Sequence, residues 1–309
     1  MEKTISRRKA LSYVAAGSAG LLMPKFALGQ EKTQQILKRA IPSTGEKVGV
    51  VGLGTWQTFD VGSSTTARNT LKEVLKTLVA HGGSVIDSSP MYGSSEKVVG
   101  DLTSQLKIKD DIFYATKVWT SGEASGIAQM KSSMSKMRAQ PIDLMQIHNL
   151  VDWKTHMKTL YNWKEQGLIR YIGITHYVNG AHSDLERIIK SENIDFLQVN
   201  YSITDRNAER SLLPTAKDKG VAVLTNRPYA GGSLFRKVRN KEIPEWAKEF
   251  GCNSWGQFFL KYLLGNPAIT CVIPGTSKPH HMKDNMGAGL GGFPDDTQRK
   301  KMVRFVEGL

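Results

Sequence analysis

The sequence has few cysteines and no long apolar run, and each absence excludes a class of protein. Only Cys252 and Cys271 occur among the 309 residues. Two cysteines are too few for a disulfide scaffold, and the count leaves one disulfide or two free thiols open. Cys271 lies inside the apolar run ITCVIP, which favours a buried free thiol. The apolar stretch near the N-terminus is broken by Pro24 and Lys25, so it is shorter than the roughly 20 residues of a stable membrane span.

A nucleotide-binding glycine fingerprint and a nucleic-acid motif are also absent. No G-x-G-x-x-G follows a first strand, and Gly52-x-Gly54 leads into Thr-Trp instead of a helix. The net charge is +14, of which +4 falls in residues 1–29. The remaining positive charge fits an anionic ligand or a phosphate-bearing cofactor. Nucleic-acid binding would need a clustered basic stripe with a recognition motif, and neither is present.

The first 29 residues have a basic start, a modestly apolar middle and a small-residue end. Arg7-Arg8 within SRRKAL resembles the twin-arginine export signal, while an amphipathic helix with a chance arginine pair is the alternative. We expect a twin-arginine-type signal peptide over residues 1–29, removed near Gly29, and one domain over residues 30–309. This signal predicts that the twin-arginine machinery exports the folded protein to the periplasm or the extracellular space.

Short β-rich runs alternate with amphipathic helical segments after residue 47. From Leu71 to Val79 apolar residues recur at i, i+3, i+4, i+7 and i+8, one face of a helix, and Gly82-Gly83 ends it. Eight strand–helix units of about 30 residues predict an α/β fold of the (β/α)8 TIM-barrel type, with an open doubly wound sheet as the alternative. The predicted strands are 48–56, 84–89, 112–119, 143–148, 171–177, 196–202, 221–228 and 269–275.

Four polar residues fall at or just beyond the carboxyl ends of consecutive predicted strands. Asp87 ends the second strand, Lys117 the third and His148 the fourth, and Tyr92 follows the second strand by five residues. In such barrels chemistry gathers at the carboxyl ends of the strands. Each residue alone has an ordinary structural explanation, but together the four predict one active site at the mouth of the barrel.

These side chains suit the reduction of a carbonyl group. The oxygen gains negative charge as it is reduced, so a nearby acid must protonate it. An ammonium beside a tyrosine stabilises the phenolate and lowers its pKa from about 10. Lys117 can act in this way on Tyr92 if Asp87 holds it in an ion pair, and His148 can orient the carbonyl oxygen. The set supplies the proton but not the hydride, so a reduced cofactor must complete it.

Three segments that carry these residues resemble the signature blocks of the aldo-keto reductases: VIDSSPMYGSSEKVVG, YATKVW and DLMQIHN. The resemblance runs over nearly the whole chain after the leader, from GLGTW to PGTSKPHHMKDNM. It implies a (β/α)8 barrel, a nicotinamide cofactor that is usually NADP(H), and a small carbonyl substrate. It also implies that Tyr92 is the proton donor, Lys117 its pKa modifier, Asp87 the partner of Lys117 and His148 the orienting residue.

The segments implied to bind the nicotinamide match the family less completely. Thr175-His176 stands where the family usually has Ser-Asn, and Asn226 stands where an aromatic residue often stacks on the ring. Tyr229 and Arg227 are the alternative stacking partners. By position, the implied contacts on this side come from Gly54, Thr55, Trp56, Asp87, Thr175, His176, Gln198 and Asn226.

The segment IPGTSKPHHMKDN resembles the adenosine-phosphate clamp of the same family. His281 occupies the place of the usual arginine, so a bidentate contact to phosphate is lost. We still expect NADP(H) in preference to NAD(H), and no metal. The contacts implied for this half of the cofactor come from Gly275, Thr276, Ser277, Lys278, His281 and Asn285.

Tryptophans beyond the strand ends are candidates for lining the substrate pocket: Trp56, Trp119 and Trp153. Core or helix packing is the alternative for each, above all for Trp153, which opens a predicted helix. An apolar pocket with one polar corner suits aldehydes and ketones.

Two other functions remain open at this point. A nucleotide-binding barrel that acts as a redox sensor or accessory subunit without efficient turnover fits the departures at Asn226 and His281. An aldolase that uses Lys117 as a Schiff base is the other, because a lysine at a barrel strand end suits that chemistry.

Overall fold

Strands and helices alternate along residues 34–309, which are the residues that the computed structural model describes. The strands are β1 (Lys38–Ala40), β2 (Lys47–Gly49), β3 (Leu53–Gly54), β4 (Val85–Asp87), β5 (Phe113–Val118), β6 (Ile142–His148), β7 (Ile169–His176), β8 (Phe196–Asn200), β9 (Ala222–Asn226) and β10 (Cys271–Val272). The helices are α1 (Thr65–Ala80), α2 (Ser95–Leu106), α3 (Glu123–Met137), α4 (Trp153–Glu165), α5 (His182–Ser191), α6 (Leu212–Asp218), α7 (Ser233–Lys237), α8 (Trp255–Leu264), α9 (Pro279–Gly287) and α10 (Asp296–Glu307).

Strands β3 to β10 form one parallel sheet in which neighbours along the chain are neighbours in space. Parallel bridges join Val51 to Val272 and Gly54 to Gly275, so the two edge strands meet and close the sheet into a barrel. Each barrel strand except the last is followed by at least one helix before the next strand begins. The predicted (β/α)8 barrel is confirmed.

Helix α1 illustrates how the apolar spacing positions a helix on the sheet. Its N-cap is Ser64, whose hydroxyl accepts the backbone N–H of Ala67, and Gly82 beyond its end has a left-handed φ of 84°. The predicted apolar stripe is the face that packs inward, and its buried members are Leu71, Val74, Leu75 and Leu78.

Inside the barrel, the central strands β5 and β6 change from apolar to polar toward their carboxyl ends. Alternate residues of a strand face the same side. On β5 the interior face carries Phe113 at the start and Lys117 near the end, and on β6 it carries Leu144 and then His148. The apolar half forms a buried cluster that fills the lower barrel, so the polar half is left at the mouth.

A β-hairpin outside the barrel corrects the predicted first strand over 48–56. Strands β1 and β2 pair antiparallel, and Val50 N–H donates to the Leu37 carbonyl, whereas Gly52 N–H donates to the Val272 carbonyl of β10. The extended run therefore changes partner between residues 50 and 52, and only Leu53–Gly54 form a barrel strand. Apolar periodicity predicted the extended backbone but gave no information on which partner satisfies its hydrogen bonds.

Both cysteines are buried free thiols, which confirms the prediction for Cys271 and excludes a disulfide with Cys252. Within residues 34–309, no helix combines the length and apolar character that a membrane crossing requires. The predicted signal peptide over residues 1–29 lies outside the described residues.

Candidate active site

Lys117 and Asp87 form a buried ion pair at the carboxyl ends of neighbouring strands. Lys117 Nζ donates to both carboxylate oxygens of Asp87, at 2.8 and 2.7 Å, and to the Ser88 carbonyl at 2.6 Å. Burial by itself would lower the pKa of Lys117, but the negative charge of Asp87 and the interaction with Tyr92 outweigh it, so the pKa is raised above the ordinary value. The ammonium therefore stays charged through neutral and moderately alkaline pH.

Tyr92 lies in the turn between β4 and α2, with Lys117 Nζ 5.1 Å from the centroid of its ring. Burial raises the pKa of Tyr92 above its ordinary value, and the charge of Lys117 offsets only part of that rise. Lys117 thus acts in the expected direction, but the expectation of a net lowered pKa is wrong, because the burial of the phenol has the larger effect and no sequence pattern encodes it. The phenol keeps its proton at neutral pH and has an ammonium beside it that stabilises the phenolate once the proton leaves.

His148, the last residue of β6, lies between Tyr92 and Trp119. Its ring centroid is 6.0 Å from that of Tyr92, in an edge-to-face arrangement, and 6.3 Å from that of Trp119. Burial and the nearby charges of Lys117 and His176 lower the pKa of His148 to about 3. The imidazole is therefore neutral at physiological pH and donates a hydrogen bond through a single N–H.

Gln146 and Ser89 complete this cluster and were not predicted. Gln146, two residues before His148 on the same face of β6, donates from Nε2 to Asp87 Oδ1 at 3.0 Å. Ser89 Oγ lies 3.0 Å from His148 Nδ1. The period-2 spacing from His148 back to Gln146 is the signal that would have identified the glutamine.

Strand β3 and the segment after β10 position the site mainly through backbone hydrogen bonds and close backbone contacts. Thr55 is fully buried, and both its N–H and its hydroxyl donate to the Asp87 carbonyl at 3.0 Å. Gly54 bridges to Gly275, directly before Thr276. These contacts fix the carboxyl end of β3 between β4 and the segment that leads into α9.

The ends of β7, β8 and β9 present amide groups with unused hydrogen-bonding capacity. Thr175 Oγ1 donates to Gln198 Oε1 at 3.0 Å, and Gln198 Nε2 is buried with no hydrogen-bond partner among residues 34–309. Asn226 Nδ2 approaches the His176 carbonyl at 3.5 Å, and its buried Oδ1 has no partner within the same described range. His176 Nδ1 accepts the Tyr177 N–H at 3.0 Å, which leaves Nε2–H as the donor of that ring. The four predicted residues of this side are thus neighbours, with one free amide donor and one free amide acceptor.

The segment before α9 exposes three of the side chains implied to bind phosphate. Thr276 is buried, and its hydroxyl accepts the Lys278 N–H at 3.1 Å, whereas Ser277, Lys278 and His281 are exposed. The pKa of His281 is lowered by burial and by the neighbouring His280 and Lys278. The positive charge of Lys278, the neutral imidazole of His281 and the backbone N–H groups at the N-terminus of α9 therefore occupy one region.

Asn285 on α9 is 5% exposed and accepts a hydrogen bond from the Tyr229 hydroxyl at 2.6 Å. This bond and the packing of its ring against Phe235 hold Tyr229 on the α9 side of the site. Arg227, the other alternative to an aromatic at Asn226, lies 5.8 Å from the ring centroid of Tyr177. Stacking by Tyr229 or Arg227 in place of an aromatic residue at position 226 stays a prediction.

Exposed apolar side chains surround the cluster. Trp56 is 55% exposed and Trp119 42%, and Met91 and Tyr177, each beyond a strand end, are exposed as well. Trp153 differs from the other two predicted tryptophans, because it is partly buried against the helix–sheet core at the first position of α4. The contacts of Trp153 fit the alternative of helix packing.

Backbone strain is concentrated in the loops that follow barrel strands. After β6, Asn149, Leu150 and Asp152 have φ values of 53°, 57° and 44°, and after β9, Arg227 and Ala230 have values of 52° and 49°. Non-glycine residues with positive φ are uncommon and persist where the surrounding structure enforces them. Because strained backbone often occurs at functional sites, this pattern supports a functional site at the carboxyl edge of the barrel.

Residues 50–299 match the Aldo/keto reductase family, a span that includes every site residue named above. The chain belongs to this family. It is therefore an aldo-keto reductase, an NAD(P)H-dependent oxidoreductase.

Individual relatives of this aldo-keto reductase are distant in sequence. The uncharacterized oxidoreductase YqkF of Bacillus subtilis is 25% identical over 81% of this chain and 90% of its own length. Methylglyoxal reductase YeaE of Escherichia coli is 24% identical over 76% and 83%. A Klebsiella pneumoniae aldo/keto reductase solved in complex with NADP and acetate superposes with a TM-score of 0.73, at 22% identity over 89% of this chain and 95% of that one. Within residues 34–309 no group of three or more His, Cys, Asp or Glu side chains is arranged to hold a metal ion.

Proposed function

We propose that this aldo-keto reductase reduces an aldehyde or ketone to an alcohol with NADPH, and that Tyr92 donates the proton. The observation that carries the proposal is the arrangement of Tyr92 beside a charged, buried Lys117 and within ring contact of a neutral His148. An acid, a cation that stabilises its conjugate base, and a neutral hydrogen-bond donor are the groups that protonation of a developing alkoxide requires.

The described residues fit a nicotinamide cofactor. A carboxamide offers both a carbonyl acceptor and an N–H donor, and the unpaired Gln198 Nε2 and Asn226 Oδ1 are the matching donor and acceptor. Thr175 holds the Gln198 amide in this orientation by donating to its oxygen. The bound cofactor supplies the hydride, and the Klebsiella pneumoniae relative was solved with NADP.

Four side chains of the protein orient the carbonyl, protonate its oxygen and stabilise the resulting phenolate. His148 donates its one N–H to the carbonyl oxygen and orients it, and Tyr92 transfers its phenolic proton to that oxygen. Lys117 then stabilises the phenolate, while the carboxylate of Asp87 and the Ser88 carbonyl hold the ammonium in place. Because the pKa of Tyr92 is raised, the phenol is protonated before each turnover.

NADP(H) is proposed over NAD(H) because of the charge near α9. Lys278 and His281 are exposed beside the buried Thr276, where the family resemblance puts the adenosine phosphate. Lysine binds phosphate as a point charge, so Lys278 compensates for part of the lost bidentate arginine contact. The exposed rim of Trp56 and Trp119 favours carbonyl substrates with an apolar portion.

Replacement of Tyr92 by Phe tests the proton-donor role. Reduction of a panel of aldehydes by the variant should slow by at least about 100-fold, the usual contribution of a general acid, while the Kd for NADPH is unchanged. Full activity of Tyr92→Phe would exclude Tyr92 as the donor. The unsubstituted protein could instead bind NADPH tightly and fail to reduce every carbonyl compound in the panel. That result would favour a redox sensor or an accessory subunit over an enzyme.

The aldolase alternative is disfavoured by the state of Lys117. A Schiff-base lysine needs a neutral amine, whereas the pKa of Lys117 is raised and its ammonium is hydrogen-bonded to Asp87 and Ser88. Borohydride trapping of a substrate adduct on Lys117 would support the aldolase hypothesis instead.

We also propose, from the sequence of residues 1–29 alone, that the protein is exported by the twin-arginine route. Arg7-Arg8→Lys-Lys should block translocation of a fused reporter, because the export machinery reads the arginine pair. Unimpaired secretion of that variant would defeat the proposal.

A further inference from the structure

His148 has a polar neighbour on only one of its two ring nitrogens. Ser89 Oγ lies 3.0 Å from Nδ1, while Nε2 has no hydrogen-bond partner among residues 34–309. The identity of the nitrogen that carries the proton therefore decides whether the ring can donate to a substrate.

The hydrogen bonds of the Ser89 hydroxyl decide which ring nitrogen of His148 carries the proton. Ser89 is fully buried, and its Oγ already accepts the Met91 N–H at 3.4 Å. If His148 Nδ1 carried the proton, Ser89 Oγ would accept two N–H groups, and its own hydroxyl proton would have no acceptor. An unmade buried hydrogen bond is costly. With Nδ1 unprotonated, Ser89 donates to it and every group at this junction is satisfied.

We propose that Ser89 is a positioning residue that holds neutral His148 in the Nε2–H tautomer and so reserves its only N–H for the substrate oxygen. The catalytic half of this inference rests on the proposed carbonyl reduction, but the tautomer itself does not. The same device occurs at His182, where Asn207 Nδ2 donates to Nδ1 at 2.8 Å and Nε2–H is left to donate to Asn200 Oδ1 at 3.0 Å. At His182 the Nε2–H group donates its hydrogen bond to a protein side chain, Asn200. At His148 the corresponding N–H is available to donate to a ligand.

Ser89 is also placed so that its effect is specific to this ring. It lies two residues after Asp87, and its carbonyl accepts the Tyr92 N–H at 3.0 Å, so it joins the turn that carries the proton donor to the ring that orients the oxygen. The bond from the Tyr92 N–H to the Ser89 carbonyl does not involve the side chain. Ser89→Ala therefore keeps that bond and removes the hydroxyl, together with the longer bond that the hydroxyl accepts from the Met91 N–H.

The test combines nitrogen NMR of the histidine rings with steady-state kinetics on the whole protein. His148 is assigned by its loss in His148→Gln, and long-range ¹⁵N–¹H spectra report which ring nitrogen is protonated without any carbonyl turnover. In the unsubstituted protein Nδ1 should be the unprotonated nitrogen. In Ser89→Ala the ring should populate both tautomers, and kcat/KM for aldehyde reduction should fall by about tenfold with the Kd for NADPH unchanged, since loss of one hydrogen bond is of that order.

Two further variants separate this effect from a general disturbance. Ser89→Cys keeps a weak donor and should retain more of the Nε2–H tautomer and of the activity than Ser89→Ala. Ser95→Ala removes a buried hydroxyl from the same segment, one whose bond to the Thr55 carbonyl is 3.4 Å long, and should change neither measurement.

Each outcome decides the inference. A protonated Nδ1 in the unsubstituted protein overturns it, as does an unchanged tautomer in Ser89→Ala, even if that variant loses activity, because the loss would then be structural. If no carbonyl is reduced by any form while the spectra show the expected tautomers, the proposed function fails and the role of Ser89 on the ring stands.

Discussion

Because the pKa of His148 is low, the free energy of unfolding should fall as the pH is lowered below neutral, and His148→Gln should remove this part of the pH dependence. The folded protein holds this ring neutral down to about pH 3, because it is buried and faces the charge of Lys117 and the ring of His176. In the unfolded chain the same ring titrates near its ordinary value of about 6.5. Between these two values the unfolded state binds one proton more than the folded state.

The sign and the size follow from linkage. Stability rises with pH wherever the unfolded state binds more protons, so the contribution of His148 is complete above pH 6.5 and is lost as the pH falls toward 3. A pH of 5 lies about 1.5 units below the pKa of the unfolded chain, and each unit lowers the free energy of unfolding by about 1.4 kcal/mol. The protein is therefore about 2 kcal/mol less stable at pH 5 than at neutral pH because of this one ring. His148→Gln cannot titrate and should not lose it.

Urea unfolding at pH 7 and pH 5 and at constant ionic strength measures the effect. The decrease in the free energy of unfolding between the two pH values should be about 2 kcal/mol larger for the unsubstituted protein than for His148→Gln. Every other titratable residue is the same in the two proteins, so the comparison isolates the contribution of His148. Equal decreases in the two proteins would show that His148 titrates normally when folded, and its assignment as a neutral donor would fail.

The sequence predicted the parts of the site that depend on strand ends. In a parallel barrel every carboxyl end lies at the same edge, so the positions of Asp87, Lys117 and His148 in the chain were enough to bring them together. The fold followed for the same reason, since alternating strands and helices admit few closed arrangements.

Properties that depend on burial and on partners were not available from the sequence. The direction of the Tyr92 pKa shift depends on how much of the phenol is removed from water, and no local pattern encodes that quantity. Ser89 and Gln146 act through side chains from another strand, so their roles emerge only when the contacts are known. The hairpin of β1 and β2 was missed because an extended run does not specify which strand it pairs with.

Three other perturbations follow from the same contacts. Because the pKa of Tyr92 is raised and the donor must carry its proton, kcat for reduction should stay constant to pH 9 and fall only above about pH 10, so a decline centred below pH 9 would contradict the assignment. Lys278→Ala should weaken NADPH binding by about tenfold and NADH binding by less than about twofold in a fluorescence titration. Equal losses for the two cofactors would contradict a contact between Lys278 and the 2′-phosphate. Gly100→Ala should destabilise the fold although alanine is the better helix former by about 1 kcal/mol. Gly100 lies inside α2 against the end of α3, where an added Cβ would overlap the Lys136 carbonyl oxygen and stand 2.6 Å from the carbonyl carbon of Met137. Backbone atoms cannot rotate away as a flexible side chain can, so the two helices must separate, and overpacking of this kind costs about 1–3 kcal/mol. A thermal midpoint equal to or above that of the unsubstituted protein would refute this contact between α2 and α3.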